Sequence, residues 1–327
     1  MAEQKCRGSA TIRSIRGRDR SVVPVIAVAY RASGFPSSAS REARIGCRAV
    51  EVQVLSVLGA AGGYPYGGHA CSGYLVETAG SRILLDCGPG VAARLLALGR
   101  AVDVDAITIT HIHPDHTLDL VAVGYALMTE WIKHRTLHRV KLAMPEGGAA
   151  YLERLSGLFG HKYWTFTDDE LGPGFASLRE VARAGRDWMF DVFDVVEFAP
   201  GARVDLGPVT VDTLPVDHIP GAVAMRIDHA GKRLVYTGDT RWHGRLVDFA
   251  RDADLLVAEG HFSGSHPPGG AHMSPAEAGR LARASGARRL LLTHLAALED
   301  GPSALDAAKA ECNTAVELAV ETTSIRL

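Results

Sequence analysis

From Val50 onward, short apolar runs alternate with polar punctuation. VEVQVLSVLG is partly alternating and ends at Gly59, which predicts a strand. CSGYLVET and SRILLDCG predict a hairpin that ends at Asp86. GVAARLLALG has helical spacing and stops at Gly99, and DAITITH predicts a short buried strand that delivers His111 at its C-terminal end. From about 120 to 200 the pattern is mostly helical, with a broken section that bears Trp131, Tyr163, Trp164, Trp188 and Phe193. Strands resume with VTVDTLPVDH, AVAMRID and KRLVYTGD, followed by a helix at LVDFARDA and a strand at DLLVAEG. SPAEAGRLARASG has every mark of a helix: Ser274 as N-cap, Pro275 in the first turn, Glu277 completing a capping box and Gly286 as the stop. RRLLLTH is a further strand that ends on a histidine.

One regularity runs through these elements. Asp86, His111, His218, Asp239, Glu259 and His294 all stand at or just beyond a predicted strand end. A sheet whose strand ends converge on one edge would gather them into a single site. The loop GAAGGYPYGGHA is rich in glycine, but no Lys-Ser/Thr follows it and the spacing of dinucleotide-binding loops is absent.

Composition adds bounds. The 327 residues are 47% hydrophobic, enough for a substantial core, and no apolar run approaches the roughly 20 residues of a membrane helix. Residues 1–48 carry one Lys and nine Arg against Glu3, Asp19 and Glu42, a balance of +7, which leaves −9 for the rest of a chain whose total is −2. An acidic body argues against a large nucleic-acid-gripping surface. Within the leader only VVPVIAVAY is apolar. Pro24 interrupts that run, Arg31 follows it at once, and a poorly ordered leader is expected rather than a secretory signal. Residues 49–327 would then form the folded domain. Five cysteines, an odd number without C-x-x-C spacing, suit a reduced cytoplasmic chain, with Cys87 and Cys312 as small buried hydrophobes.

The densest chemistry lies in THIHPDHTLDL. Imidazole and carboxylate are ligands for zinc and related divalent ions. His111 and His113, two apart, point to the same side of an extended loop, and Asp115 and His116 reach a neighbouring position, so one loop can serve two metals. His134, His138 and His161 stand alone and are expected to be capped or solvated. H-x-H-x-D-H preceded by LLDCG and followed by a lone His, YTGDT and LLLTH resembles the metallo-β-lactamase superfamily, and within it the ribonuclease Z-like branch. The resemblance runs from about Val50 to the C-terminus. It implies an α/β fold, a four-layer αβ/βα sandwich with a dinuclear metal site at one edge of the two sheets. It also implies that His111, His113 and His218 hold one Zn2+ (or Mn2+), that Asp115, His116 and His294 hold a second, and that Asp239 bridges them. Asp86 would orient the histidine loop by hydrogen bonding. Pro114 departs from the small residue usual at that family position, and stiffens the loop without removing a ligand.

Two metals about 3.5–4 Å apart can hold a hydroxide and stabilise attacking and leaving oxygens, so Asp115 counts as catalytic as well as ligating. There is no GxSxG elbow and no cysteine paired with a nearby histidine, and direct hydrolysis is expected. In the ribonuclease Z-like branch a glutamate and a histidine assist phosphodiester cleavage, and Glu259 and His272 occupy those places. The residues around Glu259 differ from the family's usual ones. His261 and His266 receive no role. Only 20 residues separate His218 from Asp239, too few for the arm with which ribonuclease Z holds transfer RNA. A small phosphodiester is therefore expected rather than a large RNA. FDVFDVVEF, VDLGPVTV, YTGDT and AHMSPAEAGRLARASGARRLLLTHL are similar to an atypical class II cyclic-nucleotide phosphodiesterase group of actinobacteria, which implies a 3′,5′-cyclic nucleotide such as cAMP. The alternatives are a ribonuclease Z-type tRNA 3′ endonuclease, a hydrolase of another small ester, lactone, sulfate or cyclic phosphate, and a non-catalytic metal-binding module. A β-lactamase is disfavoured, because such members lack the Glu259/His272 pair. No membrane partner is expected. The mid-chain aromatics either stack on a base or serve as core or homodimer contacts, and the sequence leaves these open.

Overall fold

The computed structural model describes residues 53–99, 103–134, 139–159, 188–262, 271–296 and 301–327. The leader at 1–48 with Cys6 and Cys47 lies outside them, as do His138, His161, Tyr163, Trp164 and His266. The strands are β1 (Val54–Gly59), β2 (Gly73–Glu77), β3 (Arg82–Leu85), β4 (Ala106–Thr108), β5 (Val140–Pro145), β6 (Phe193–Phe198), β7 (Arg203–Asp205), β8 (Thr210–Pro215), β9 (Val223–His229), β10 (Lys232–Tyr236), β11 (Leu255–Glu259), β12 (Arg289–Thr293), β13 (Ala315–Leu318) and β14 (Ser324–Arg326). They form two seven-stranded sheets, β14-β1-β2-β3-β4-β5-β6 and β13-β12-β11-β10-β9-β8-β7.

Strand alternation sorts side chains into layers. Leu55, Val57, Tyr74, Val76, Ile83 and Leu85 from the first sheet meet Leu234, Tyr236, Leu255, Val257 and Leu291 from the second. Between them, Leu58, Leu75 and Leu84 turn the other way, onto α1 (Val91–Ala97), α3 (Leu120–His134), α4 (Gly148–Phe159) and α5 (Trp188–Val192). On the far side, Val235, Leu256, Leu290 and Leu292 pack on α6 (Arg245–Phe249), α7 (Pro275–Ser285) and α8 (Gly301–Glu311). The result is the helix–sheet–sheet–helix sandwich that the family resemblance implied. Each buried Leu or Val contributes about 1.5–3 kcal/mol, so both faces of the central strands hold the layers together.

Among the described residues the mid-chain is mostly helical, as expected, but it also supplies two strands that the pattern did not announce, β5 and β6, which pair in parallel and extend the first sheet. β5 is covered on both sides, with Leu142 and Met144 under helices and Ala143 between the sheets, so it lacks the alternation that marks a half-buried strand. The capping box of α7 is as read: Glu277 N–H donates to Ser274 Oγ, the Glu277 side chain accepts from the Ser274 N–H, and Gly286 ends the helix at φ 71°. Cys87 is buried as expected, whereas Cys312 is only half-buried.

In each sheet one half is parallel, β3-β4-β5-β6 and β10-β11-β12-β13. Parallel strands deliver all their C-terminal ends to one edge, where the loops of an open sheet form a crevice. Asp86 follows β3, His111 follows β4, Asp239 follows β10, Glu259 ends β11 and His294 follows β12.

Candidate metal centre

The loop after β4 builds the centre. His113 is extended (φ −67°, ψ 151°) and caps a single helical turn, α2 (Pro114–Thr117). Pro114 sits at the first helical position, where its missing N–H costs no hydrogen bond and its fixed φ suits the turn. The extended stretch carries His111 and His113 to one point, and the turn brings Asp115 and His116 to the next. A Cβ on Gly88 would collide with the Asp115 carbonyl, so the glycine of LLDCG lets the two loops touch.

Asp86 fixes the loop from beneath. It is fully buried and its backbone is left-handed (φ 59°), an uncommon conformation for a side-chain-bearing residue. Its carboxylate accepts from Thr110 N–H (2.7 Å), Thr110 Oγ1 (2.8 Å), His116 Nδ1 (2.7 Å) and Tyr236 OH (2.8 Å). The Thr110 hydroxyl, having donated to Asp86, accepts from His111 Nδ1 at 3.1 Å, and His218 Nδ1 donates to Ala271 O at 3.1 Å. These bonds fix the tautomers, leaving Nε2 of His111, His116 and His218 bare and aimed into the site.

Two triads result. His113 Nδ1 lies 3.1 Å from His111 Nε2 and 3.0 Å from His218 Nε2. The second triad is Asp115, His116 and His294, with His294 Nε2 3.3 Å from Asp115 Oδ2 and His116 Nε2 3.6 Å from the same oxygen. Asp239 stands between the triads, its Oδ2 3.8 Å from His111, 3.9 Å from His218 and 3.2 Å from His294, and its Oδ1 3.4 Å from His116. All seven sequence-predicted ligands are thus together, and each triad has the donor spacing that can hold a metal ion.

The donor set fits a cation on two counts. Three ring nitrogens converge near 3 Å, and a single proton on His113 Nδ1 could satisfy only one of the two bare Nε2 atoms it faces, whereas a cation satisfies all three. In addition, His116 Nε2 and Asp239 Oδ1 are buried without a hydrogen-bond partner, a costly state for polar atoms. Electrostatics point the same way. Burial, helped by His116, holds His111 well below the usual imidazole range, and burial brings His218 down to about 4 against the pull of Asp239. Burial opposes ionisation of Asp239 too, but the surrounding histidines His294, His116 and His111 outweigh it and keep the carboxyl well below its ordinary range. The first triad is thus neutral imidazole and Asp239, between the triads, is carboxylate, the forms in which such groups bind metal.

Glu259 and His272 meet beside this centre. His272 Nδ1 is 2.9 Å from Glu259 Oε2 and 3.9 Å from Asp239 Oδ2, and Thr240 N–H donates to the other Glu259 oxygen. Burial, reinforced by Asp239, pushes Glu259 well up, while burial pushes His272 down. A standing His272 imidazolium held by a Glu259 carboxylate is therefore opposed by burial of both partners. Sequence reasoning gave no role to three further residues. Tyr236 donates to Asp86. Gly63 N–H donates to Asp115 Oδ2 at 2.9 Å. His261 stacks on His272 with ring centroids 4.2 Å apart. The YTGDT motif was the available signal for Tyr236, since it places a tyrosine three residues before Asp239.

Residues 81–295 match the family described as the beta-lactamase superfamily domain. The chain belongs to that superfamily. Among its relatives is a probable metallo-hydrolase of Bacillus subtilis, YhfI, 28% identical over 74% of this chain and 86% of that protein. The crystal structure of the metallo-beta-lactamase fold protein YhfI superposes with a TM-score of 0.69 at 25% identity, covering 85% of this chain and all of that one. Ribonuclease Z of Myxococcus xanthus is 31% identical over 84% of this chain and 97% of its own length. A diphosphatase from the PhnP family shares the fold, with a TM-score of 0.61 at 17% identity, over 84% of this chain and 97% of that chain. The superfamily match and the relatives thus place the chain among metallo-β-lactamase-fold hydrolases. Among the described residues, no helix is long and apolar enough to cross a membrane.

Proposed function

We propose that the chain is a dinuclear zinc phosphodiesterase acting on a small phosphodiester, foremost a 3′,5′-cyclic nucleotide such as cAMP. The observation that carries this reading is the Glu259–His272 hydrogen bond at 2.9 Å beside the two triads that share Asp239. His111, His113 and His218 would hold one cation, Asp115, His116 and His294 the other, and Asp239 both, with manganese as an alternative metal. When bound, the cations supply Lewis-acid polarisation of the phosphoryl group and a solvent nucleophile ionised near neutral pH.

The protein's own residues supply the rest. Burial favours the neutral forms of both Glu259 and His272, and a Glu259 proton directed along the Oε2···Nδ1 contact would leave His272 Nε2–H for the substrate. As the phosphorus–oxygen bond to the sugar breaks, that proton passes from Nε2 to the leaving oxygen and the Glu259 proton replaces it at Nδ1. Water has then added across the bond, giving an alcohol and a phosphomonoester. Asp86, through His116 and Thr110, keeps the ligating nitrogens bare and aimed.

Support for a small substrate comes from the span between His218 and Asp239, which is taken up by the tight β9–β10 hairpin. The loop at 59–70 contains no Lys or Arg, and its one histidine, His69, is held by Glu321 at 2.8 Å. Lys and Arg are what a polyanion needs for most of its affinity. A second reading, a tRNA 3′ endonuclease, is favoured by the Myxococcus relative. Parallel assays separate them: cAMP turnover without trimming of a precursor tRNA is expected, and trimming without cAMP turnover would refute the first reading.

A further inference from the structure

We propose that His261 is a positioning residue: its ring is the plate that fixes the plane of the His272 imidazole for proton delivery. The proposal rests on the role just given to His272.

A single hydrogen bond from Nδ1 to Glu259 sets where one corner of the His272 ring lies. It does not set the plane of the ring, and so leaves Nε2 free to swing. His272 is 21% exposed in its side chain, so packing does not close around it entirely. His218 meets the His272 ring at its edge, 4.8 Å away, and the face-to-face restraint is His261, whose ring lies 4.2 Å from that of His272 and only 20° from parallel. Parallel planes at this separation allow the His272 ring little tilt without a clash.

His261 is itself held on three sides. Its Nδ1 lies 3.1 Å from the His294 carbonyl oxygen and 3.3 Å from His294 Nδ1, so that edge of the ring is held against His294. With Nδ1 engaged there, the face of the ring is turned to His272, which makes His261 a support for that ring. Phe262 meets its ring edge-on at 4.2 Å and 80°. Behind it, Gly62 leaves just enough room: a Cβ there would lie 2.7 Å from His261 Nδ1 and 2.7 Å from the His294 carbonyl. The backbone supports the same placement, since His261 N–H donates to Met273 O at 2.9 Å and its carbonyl accepts from Ala296 N–H at 3.0 Å. The strand end that carries Glu259 is thus tied to the segment that carries His272 through His261.

The test separates plate from hydrogen bond. His261→Asn keeps an amide nitrogen where Nδ1 stood but removes the plate. His261→Phe keeps the plate and removes the ring nitrogen. Each is assayed with metal content measured in parallel on bis-p-nitrophenyl phosphate, whose nitrophenolate departs without a proton, and on cAMP and the dinucleotide ApA, whose alkoxides require one. A misplacement on the order of 1 Å at a catalytic group can cost about 100-fold. His261→Asn is expected to lose roughly 10- to 100-fold in kcat on the alkoxide-leaving substrate, with KM little changed, metal content intact and a much smaller loss on the nitrophenyl ester. His261→Phe is expected to recover most of the activity. Equal losses on both substrate types, or recovery by His261→Asn instead of His261→Phe, would overturn the proposal. His272→Ala serves as the reference. If it shows no leaving-group selectivity, the proton-donor reading falls and takes this inference with it; if it is selective while His261→Asn is not, only the inference falls.

Discussion

Replacing Asp86 by Asn is nearly isosteric and removes one charge, yet the hydrogen-bond geometry gives it a specific consequence. Oδ1 accepts from the Thr110 N–H, and Oδ2 accepts from His116 Nδ1, Tyr236 OH and Thr110 Oγ1. An amide nitrogen facing the Thr110 N–H would put two donors together with no means of escape, so the amide nitrogen must take the Oδ2 place. The two hydroxyls there can rotate to accept. His116 can adapt only by moving its proton from Nδ1 to Nε2, which covers the lone pair the second triad needs. Loss of a support of this kind typically weakens metal affinity 10- to 100-fold, about 1.4–2.8 kcal/mol. The folded chain without metal should lose only about 1–3 kcal/mol, the cost of imperfectly paired buried groups. Titration of the stripped protein with Zn2+, followed calorimetrically, should show one binding step close to wild type and one weakened step. Two steps indistinguishable from wild type would refute the assignment of Asp86 as the group that sets the His116 tautomer.

Three further outcomes follow from the same geometry. Tyr236→Phe removes one of four donors to Asp86 without touching His116, so unfolding in urea should show a loss of about 1–2 kcal/mol while both zinc affinities hold. Gly62→Ala sets a methyl against His261 and the His294 carbonyl, and kcat should fall at least about 10-fold with the overall circular dichroism unchanged. Without metal, His218 and His261 are each held near 4, by burial first, whereas unfolded imidazoles titrate near 6.5. Because the unfolded chain then binds more protons between those values, their contribution to stability is complete above about pH 6.5 and lost as pH falls toward 4. A urea midpoint of stripped protein that stays flat across that window would contradict these two shifts.

Much of the centre could be read from sequence because its ligands sit where parallel strands end. A strand end is marked by a change in hydrophobic period, and a histidine or aspartate placed there stands out against apolar neighbours, as in TITHIH and YTGD. Asp86 stood at a strand end in the same way and His116 came with the H-x-H-x-D-H cluster, although the hydrogen bond joining them spans 30 residues. What escaped reading has a physical reason in each case. β5, covered on both faces, shows no alternation, and the three-residue strands β7 and β14 are too short to show a period. His261 is one residue from Phe262 and eleven from His272, and nothing in that spacing announces two parallel rings. The stacking depends on Gly62, 199 positions away, having no side chain.

The most direct test of the account is the metal content of carefully purified protein together with its chelator response. Elemental analysis should find two equivalents of zinc or manganese per chain. Hydrolysis of bis-p-nitrophenyl phosphate should vanish with chelator and return with either metal. Less than one equivalent of any transition metal, with hydrolysis that survives the chelator, would contradict the dinuclear centre on which the proposed chemistry depends.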